Sequence, residues 1–467
     1  MTPTATDVVP HVRTVIATAV TMALVTLASG GAHAAFFQLA ENSPAGLGNA
    51  NAGGAAIADD ASTIWYNPAG LTRLNGSQFV AGGHFIVPSL KFSKTSATAL
   101  TTVPINGGDG GDAGESAIVP NFYYAHRHDD RLTFGIGVNA PFGLATDYED
   151  GWVGRYHADR SEILTINVNP VVAYKINDAF SVGGGISYQK IEAELSQAVD
   201  FATICTVSAG GAFSGTCGAG AGFNPATNPN DGHARVNADD DAWGYNIGFL
   251  WQLSADTRVG MHYRSELDYG LSGSVSLTSP GNVPAPLQAA AGGGSGASAD
   301  VTLPATLSLS AFTQLSPAWA LMGDVTRTYW GDLSALKIDF TNTATPDDAV
   351  VTLNLKDVNR YSVGATHSPG GAWVYRFGIA LDKSPTPNAT DRTPRLPDED
   401  RTWYSFGVGY KASDKMTFDI AYTYIKVDDA HVEKTATPTN ENATRGNLVG
   451  DYEADTHILS AQVNWKF

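Results

Sequence analysis

The sequence predicts an all-β fold, a 14-stranded antiparallel transmembrane β-barrel. Three observations predict it. Segments of two-residue alternation recur along the chain, short and long connections take turns between them, and charge is sparse. Charged residues make up 16% of the 467 residues, where soluble domains average about 25%. Glycine is abundant at 50 residues and aromatics reach 10%. Mean hydropathy is near neutral at −0.10, as expected when apolarity is spread thinly over alternating strands.

The one continuous apolar run lies at the start. Arg13 precedes Val15 to Leu27, and small residues lead to Ala32-His33-Ala34. A basic flank, a moderate apolar stretch and an A-x-A site read as a secretory signal peptide over 1–34, cleaved before Ala35. The run falls short of the ~20 residues that a membrane-spanning helix needs. In the oxidising compartment beyond, Cys205 and Cys217 are a candidate disulfide within a loop rich in small residues. Metal ligands are too few around them for a metal site, and no cofactor is expected. The net charge of −18 argues against a nucleic-acid partner.

Candidate strands fall near 77–93, 115–127, 131–141, 161–175, 179–197, 239–253 and 258–277. Seven more fall near 300–315, 319–340, 355–367, 372–383, 401–412, 415–428 and 452–467. The total is even, as bacterial single-chain barrels require. Short links at His128-Asp129-Asp130, Asn177-Asp178, Ala255-Asp256, Ser316-Pro317, Ser368-Pro369-Gly370 and Ser413-Asp414 alternate with long ones at 198–238, 278–299, 384–400 and 429–451. Outer-membrane barrels combine short periplasmic turns with long external loops. The expected location is therefore the bacterial outer membrane, in contact with lipid bilayer and lipopolysaccharide, as a monomer.

Parity supports the barrel strand by strand. Tyr404, Phe406, Val408 and Tyr410 share one face, while Ser405, Gly407 and Gly409 share the other. Met416, Phe418, Ile420, Tyr422 and Tyr424 form a second apolar stripe, and Trp243, Tyr245, Ile247, Phe249 and Trp251 a third. Alternate side chains point to opposite faces of a strand. Apolar outer faces with aromatics near their ends suit lipid and its interfaces. The chain ends in a last alternating strand with a terminal aromatic, Gln462 to Phe467.

Residues 35–76 break the pattern. They carry few charges yet hold Phe36, Phe37, Leu39, Ile57, Trp65 and Leu71, which disordered segments lack. The stretch is expected to pack inside the barrel lumen. Ala35 to Leu39, Gly46-Leu47-Gly48, Ala56-Ile57-Ala58-Asp59-Asp60-Ala61, Asn67-Pro68-Ala69, Asn139 to Leu144, Asp382-Lys383-Ser384-Pro385 and Leu396 to Arg401 together resemble the FadL/TodX (OmpP1) family. Its members are outer-membrane transporters of long-chain fatty acids and hydrocarbons, and the resemblance runs through the mature chain in order. It implies a small N-terminal hatch (plug) at 35–76 inside a barrel at 77–467. It also implies passive uptake of long-chain fatty acids or other hydrophobic small molecules, a pocket near the hatch's N-terminus (Ala35, Phe36, Phe37, Leu39) and sideways exit at a kink in the third strand. Phe36 departs from the family, whose mature start often has Gly there.

The third strand itself points to a kink. Leu132, Phe134, Ile136, Val138 and Ala140 alternate outward until Pro141 arrives. Proline gives the ladder no N–H, so Pro141, Phe142 and Gly143 predict a local break in pairing, with Pro120 adding to it on the second strand. Asn67, Pro68 and Ala69 form a turn expected to position the hatch. A carboxylate needs a cation beside an otherwise apolar pocket. Inward parity selects Lys356, Arg360 and Arg376, and Lys190 is a further candidate although its parity is outward; each also reads as a solvated lumen charge. Histidines at 84, 126, 157, 262, 367 and 457 are scattered without a nucleophile motif, so an enzyme is not expected. A hydrocarbon channel, a general porin and an adhesin are the alternatives.

Overall fold

The computed structural model describes residues 36–207, 231–280, 283, 294–341 and 349–467. The expected signal peptide, Ala35 and the Cys205–Cys217 pairing lie outside the described residues.

Fourteen antiparallel strands close into one barrel. The first seven are β1 (Gln78–Thr98), β2 (Ala117–Arg127), β3 (Leu132–Asn139 and Gly143–Asp147), β4 (Arg160–Lys175), β5 (Phe180–Asp200), β6 (Asp231–Gln252) and β7 (Thr257–Arg264 and Leu267–Thr278). Next come β8 (Gly296–Leu303 and Thr306–Ser316), β9 (Trp319–Thr328 and Ala335–Phe340) and β10 (Ala349–Thr352 and Val358–His367). The last are β11 (Trp373–Asp382), β12 (Arg401–Lys411), β13 (Met416–Val427 and Ala430–Lys434) and β14 (Asn447–Lys466). Closure comes from β1 meeting β14, from Gln78 opposite Lys466 to Thr98 opposite Asn447. Closure removes the two free sheet edges, whose unpaired amides hydrocarbon could not satisfy.

Two sequence expectations need correction. Stretches 258–277, 300–315 and 319–340, read as unbroken, are interrupted at 265–266, 304–305 and 329–334. Pro304 has no N–H to give the ladder. The hydroxyl of Ser265 instead accepts the Tyr245 N–H at 3.0 Å, and Trp330–Asp332 winds into a 3-10 turn. The strand expected from 239 begins at Asp231 and pairs with β5 as far as Asp200. That hairpin continues past the bilayer on polar pairs such as Arg235–Glu194 at 3.5 Å.

The outward faces are as the parity demands. Tyr404, Phe406, Phe418, Ile420, Trp243 and Tyr245 are exposed. From Trp243 to Trp251, β6 spans about the 9–11 residues that a tilted strand needs to cross a membrane. Above Trp243 the exposed outer face turns acidic, with Asp239 and Asp241 on β6, Asp268 on β7 and Asp300 on β8. The inward residues at that height therefore enclose a space outside the bilayer.

Candidate functional site

Residues 36–76 precede the first strand and pack against several strands of the wall. This segment forms short helices at Pro44–Leu47, Gly54–Ile57 and Thr63–Tyr66 and a 3-10 turn at Pro68–Arg73. Asn67 is extended and caps that last turn, accepting the Ala69 N–H at 3.0 Å, with Pro68 in the first position where no N–H is needed. Its amide group also donates to the carbonyls of Ala55 (2.7 Å) and Phe249 (2.9 Å). One buried side chain thus ties two parts of the segment to β6. Arg258 donates to the carbonyls of Ala56 and Ile57, and Arg360 to that of Ala50.

Glycines on the wall make room for this backbone. A Cβ on Gly183 would overlap Ala69, on Gly248 Asn67, on Gly260 the Ala55 carbonyl, on Gly378 Asn49, and on Gly407 Gly48. The small-residue face that sequence parity assigned to β12 is a seat for the segment.

Further toward its N-terminus the chain pairs with the wall. Leu39 N–H donates to Pro141 at 2.8 Å, and Gly143 N–H donates to Phe37 at 2.9 Å. This occurs where β3 is broken, as Pro141 and Gly143 predicted. Below the break β3 pairs with β2 from Thr133 to Val138; above it, Gly143–Asp147 pairs with β4. Residues Ala117–Asn121 of β2 are matched to β1 alone among the strands. The wall rejoins above, at the bridge between Gly114 and Thr146. Ala140, expected on the lipid face, is buried in the cluster that includes Leu39 and Ala117; the strand ends at Asn139, so alternation no longer places it.

Above the break lies an apolar cavity with an empty volume of about 930 Å³, open solvent at its mouth included. Phe36, Phe37 and Leu144 form one end, Ile191, Val236, Leu271 and Ile338 contribute walls, and Thr393, Arg395 and Leu396 of the long β11–β12 loop form another. Of the lining residues, Phe36 and Phe37 belong to a cluster of four rings, the aromatic base. Trp330 meets Phe36 at 5.3 Å and Phe37 at 5.1 Å edge-on, and Phe37 meets Phe142 at 5.8 Å. A second space of about 760 Å³ beside the segment is polar, lined by Tyr66, His262, Arg264, Asp324, Arg360 and Asp382 among others.

None of the four cations proposed from sequence lines the apolar cavity. Lys356 lies in the connection before the second part of β10 and is exposed, reaching Pro387 at 3.3 Å. Lys190 pairs outside with Glu192 at 2.7 Å. Arg376 is neutralised by Asp419 at 2.6 Å, and Arg360 faces the polar space. The charge on the cavity is Arg395, which sequence reading missed because strand parity says nothing about a loop residue. Its position between Pro394 and Pro397, just before the Leu396–Arg401 motif, was the available signal. Arg395 donates to Ser161 (3.2 Å), Ser196 (3.0 Å) and Gln197 (2.8 Å). Its Nε has no partner, and no carboxylate lies within ion-pair distance of it among the described residues. Burial and the neighbouring Arg445 push its pKa down to about 10, against the opposing pull of Asp159. Its guanidinium is held by those neutral hydrogen-bond partners, and the face it turns to the cavity is apolar.

A closed β-barrel holding an apolar cavity defines an outer-membrane transport protein for a hydrophobic substrate. Over residues 25–467 the chain matches the family described as outer membrane protein transport protein (OMPP1/FadL/TodX), and it belongs to that family. Among curated relatives, the long-chain fatty acid transport protein of Salmonella typhi is 30% identical, with 86% of this chain and 89% of that protein covered. Outer membrane protein P1 of Haemophilus influenzae is 29% identical over 94% of this chain and 97% of its own length. The crystal structure of a Pseudomonas aeruginosa FadL homologue superposes with a TM-score of 0.83 at 24% identity, covering 93% and 100% of the two chains. The outer-membrane location expected from the sequence agrees with these relatives.

Proposed function

We propose that the protein takes up long-chain fatty acids passively from outside and releases them sideways through the wall at the break in β3. One observation carries the reading: the apolar cavity ends on Phe36 and Phe37, and the same short stretch, Phe37 to Leu39, is paired to the broken edge of β3. Residues 35–76 act as a hatch, with Asn67, Pro68 and Ala69 fixing its position, while 1–34 is a removed signal peptide and 77–467 the barrel. Movement of Phe37–Leu39 off Pro141 and Gly143 joins the cavity to the gap beside Ala117–Asn121. The gap opens next to Ile118, which is exposed on the outer face, so an apolar molecule leaves into lipid without crossing water. No step makes or breaks a covalent bond, and the protein works as a channel rather than an enzyme.

Arg395 favours a carboxylate over a plain hydrocarbon. Hydrogen bonds to charged groups contribute about 1.5–3 kcal/mol, roughly ten- to a hundredfold in affinity. The rings of Phe36 and Phe37 in the cavity wall favour the second reading, uptake of aromatic hydrocarbons. Labelled oleate and labelled toluene, given to cells lacking their own transporters and carrying this gene, separate the two. The fatty-acid reading expects oleate uptake that Arg395→Met lowers about tenfold, with Arg395→Lys retaining more. Toluene uptake without oleate uptake by a well-inserted protein would sink it. Pro141→Ala, which lets β3 pair continuously, should lower uptake while the barrel still inserts; unchanged uptake would remove lateral exit.

A further inference from the structure

We propose that Phe36 is the stop that sets how long a hydrophobic chain the cavity admits. The inference rests on the fatty-acid reading above and deepens it. Phe36 has φ +58°, in the left-handed region that a Cβ disfavours and glycine adopts freely. The backbone there would be better served by glycine. Its carbonyl is held by Arg401 at 3.4 Å and its N–H by Asp398 at 3.4 Å, contacts that any residue could make. What the side chain adds is a ring that is 4% exposed, set against Phe37 at 5.1 Å and Trp330 at 5.3 Å and forming cavity wall.

Phe37 cannot be separated from the wall in the same way, since its carbonyl accepts from Gly143. Phe36 makes no such strand pairing. Arg395, also in the cavity wall, is bonded to Ser161 of β4, and further along the same strand the Thr165 hydroxyl accepts the Phe142 N–H at 3.0 Å beside the rings. From Ser161 to Thr165 is about 13 Å along a strand. A hydrophobic chain lying along this stretch of wall meets the ring of Phe36, which occupies volume that further methylenes would otherwise fill.

The test measures binding of laurate, palmitate and arachidate to the purified full-length protein in detergent, read by quenching of tryptophan fluorescence, Trp330 being in contact with the ring. Phe36→Gly and Phe36→Ala are compared with the wild type. Both are expected to shift the preference toward the longer chains, by about fourfold for each extra methylene taken up. Phe36→Ala keeps the left-handed strain and loses the ring, so a shift seen only with Phe36→Gly would overturn the role of the ring. An unchanged length profile in both variants would overturn the proposal outright. If the wild type binds none of the three acids, the cargo reading fails. The same comparison with n-alkylbenzenes of rising length then decides the role of Phe36 separately.

Discussion

Replacing Asn67 by alanine should release the N-terminal segment while leaving the barrel standing. The side chain is fully buried and makes three hydrogen bonds: to the carbonyls of Ala55 and Phe249, and from the N–H of Ala69. Each such bond contributes about 1 kcal/mol net, and a buried group left unpaired costs more than that. Loss of all three amounts to about 3 kcal/mol, which is about two decades in the local opening constant. No strand ladder passes through Asn67, so β1 to β14 should keep their protection. Hydrogen exchange of the protein in detergent, followed by mass spectrometry, reads both parts at once. Peptides within 44–74 should exchange about a hundredfold faster in Asn67→Ala, with strand peptides unchanged. An acceleration below about threefold, or one spread equally over the strands, would refute the reasoning that Asn67 ties the segment to the wall.

The remaining predictions concern the seat, the aromatic base and the outer loops. Gly260→Ala pushes a methyl into the Ala55 carbonyl, an overpacking cost of about 1–3 kcal/mol, and should show as faster thermolysin cleavage within 44–74 of a barrel that still resists heat in gel mobility. Trp330→Ala empties the centre of the ring cluster and should destabilise the 329–334 turn by about 3–5 kcal/mol, read as lost exchange protection at Leu333. His157, buried in the loop after β3 with Arg445, Lys434 and Arg395 nearby, is held well below the usual histidine range by desolvation and those charges. Its folded-state pKa is depressed, so its contribution is present above the unfolded histidine range and is lost as pH falls through it. Proteolysis of the outer loops should therefore accelerate below about pH 6.5, and His157→Gln should flatten that dependence.

The break in β3 was legible because proline's missing N–H acts on its own strand, whatever the fold around it. Pro304 carries the same signal, and it passed unread inside the apolar run 300–315. The cavity was legible only at one end. Phe36, Phe37 and Leu39 stood out as apolar residues without strand rhythm, but Arg395 lies on a loop, where no periodicity assigns a side to a side chain. Lys356 shows the converse error: parity was extended past the end of a strand, where it no longer holds. The glycines at 183, 248, 260, 378 and 407 were visible as small residues, yet nothing local told them apart from other glycines of the barrel.

The sequence by itself determined the barrel, its lipid face and the place where its wall fails to pair. Alternation, turn length and the chemistry of proline act between near neighbours, so they can be read in one dimension. Only the tertiary structure decided that five wall glycines seat Asn49, Ala55, Asn67 and Ala69, and that Phe37 covers the break at Pro141. It also decided that Arg395 of the β11–β12 loop lies in the wall of the apolar cavity. Those facts depend on contacts between residues hundreds of positions apart, and barrel closure is what brings them together.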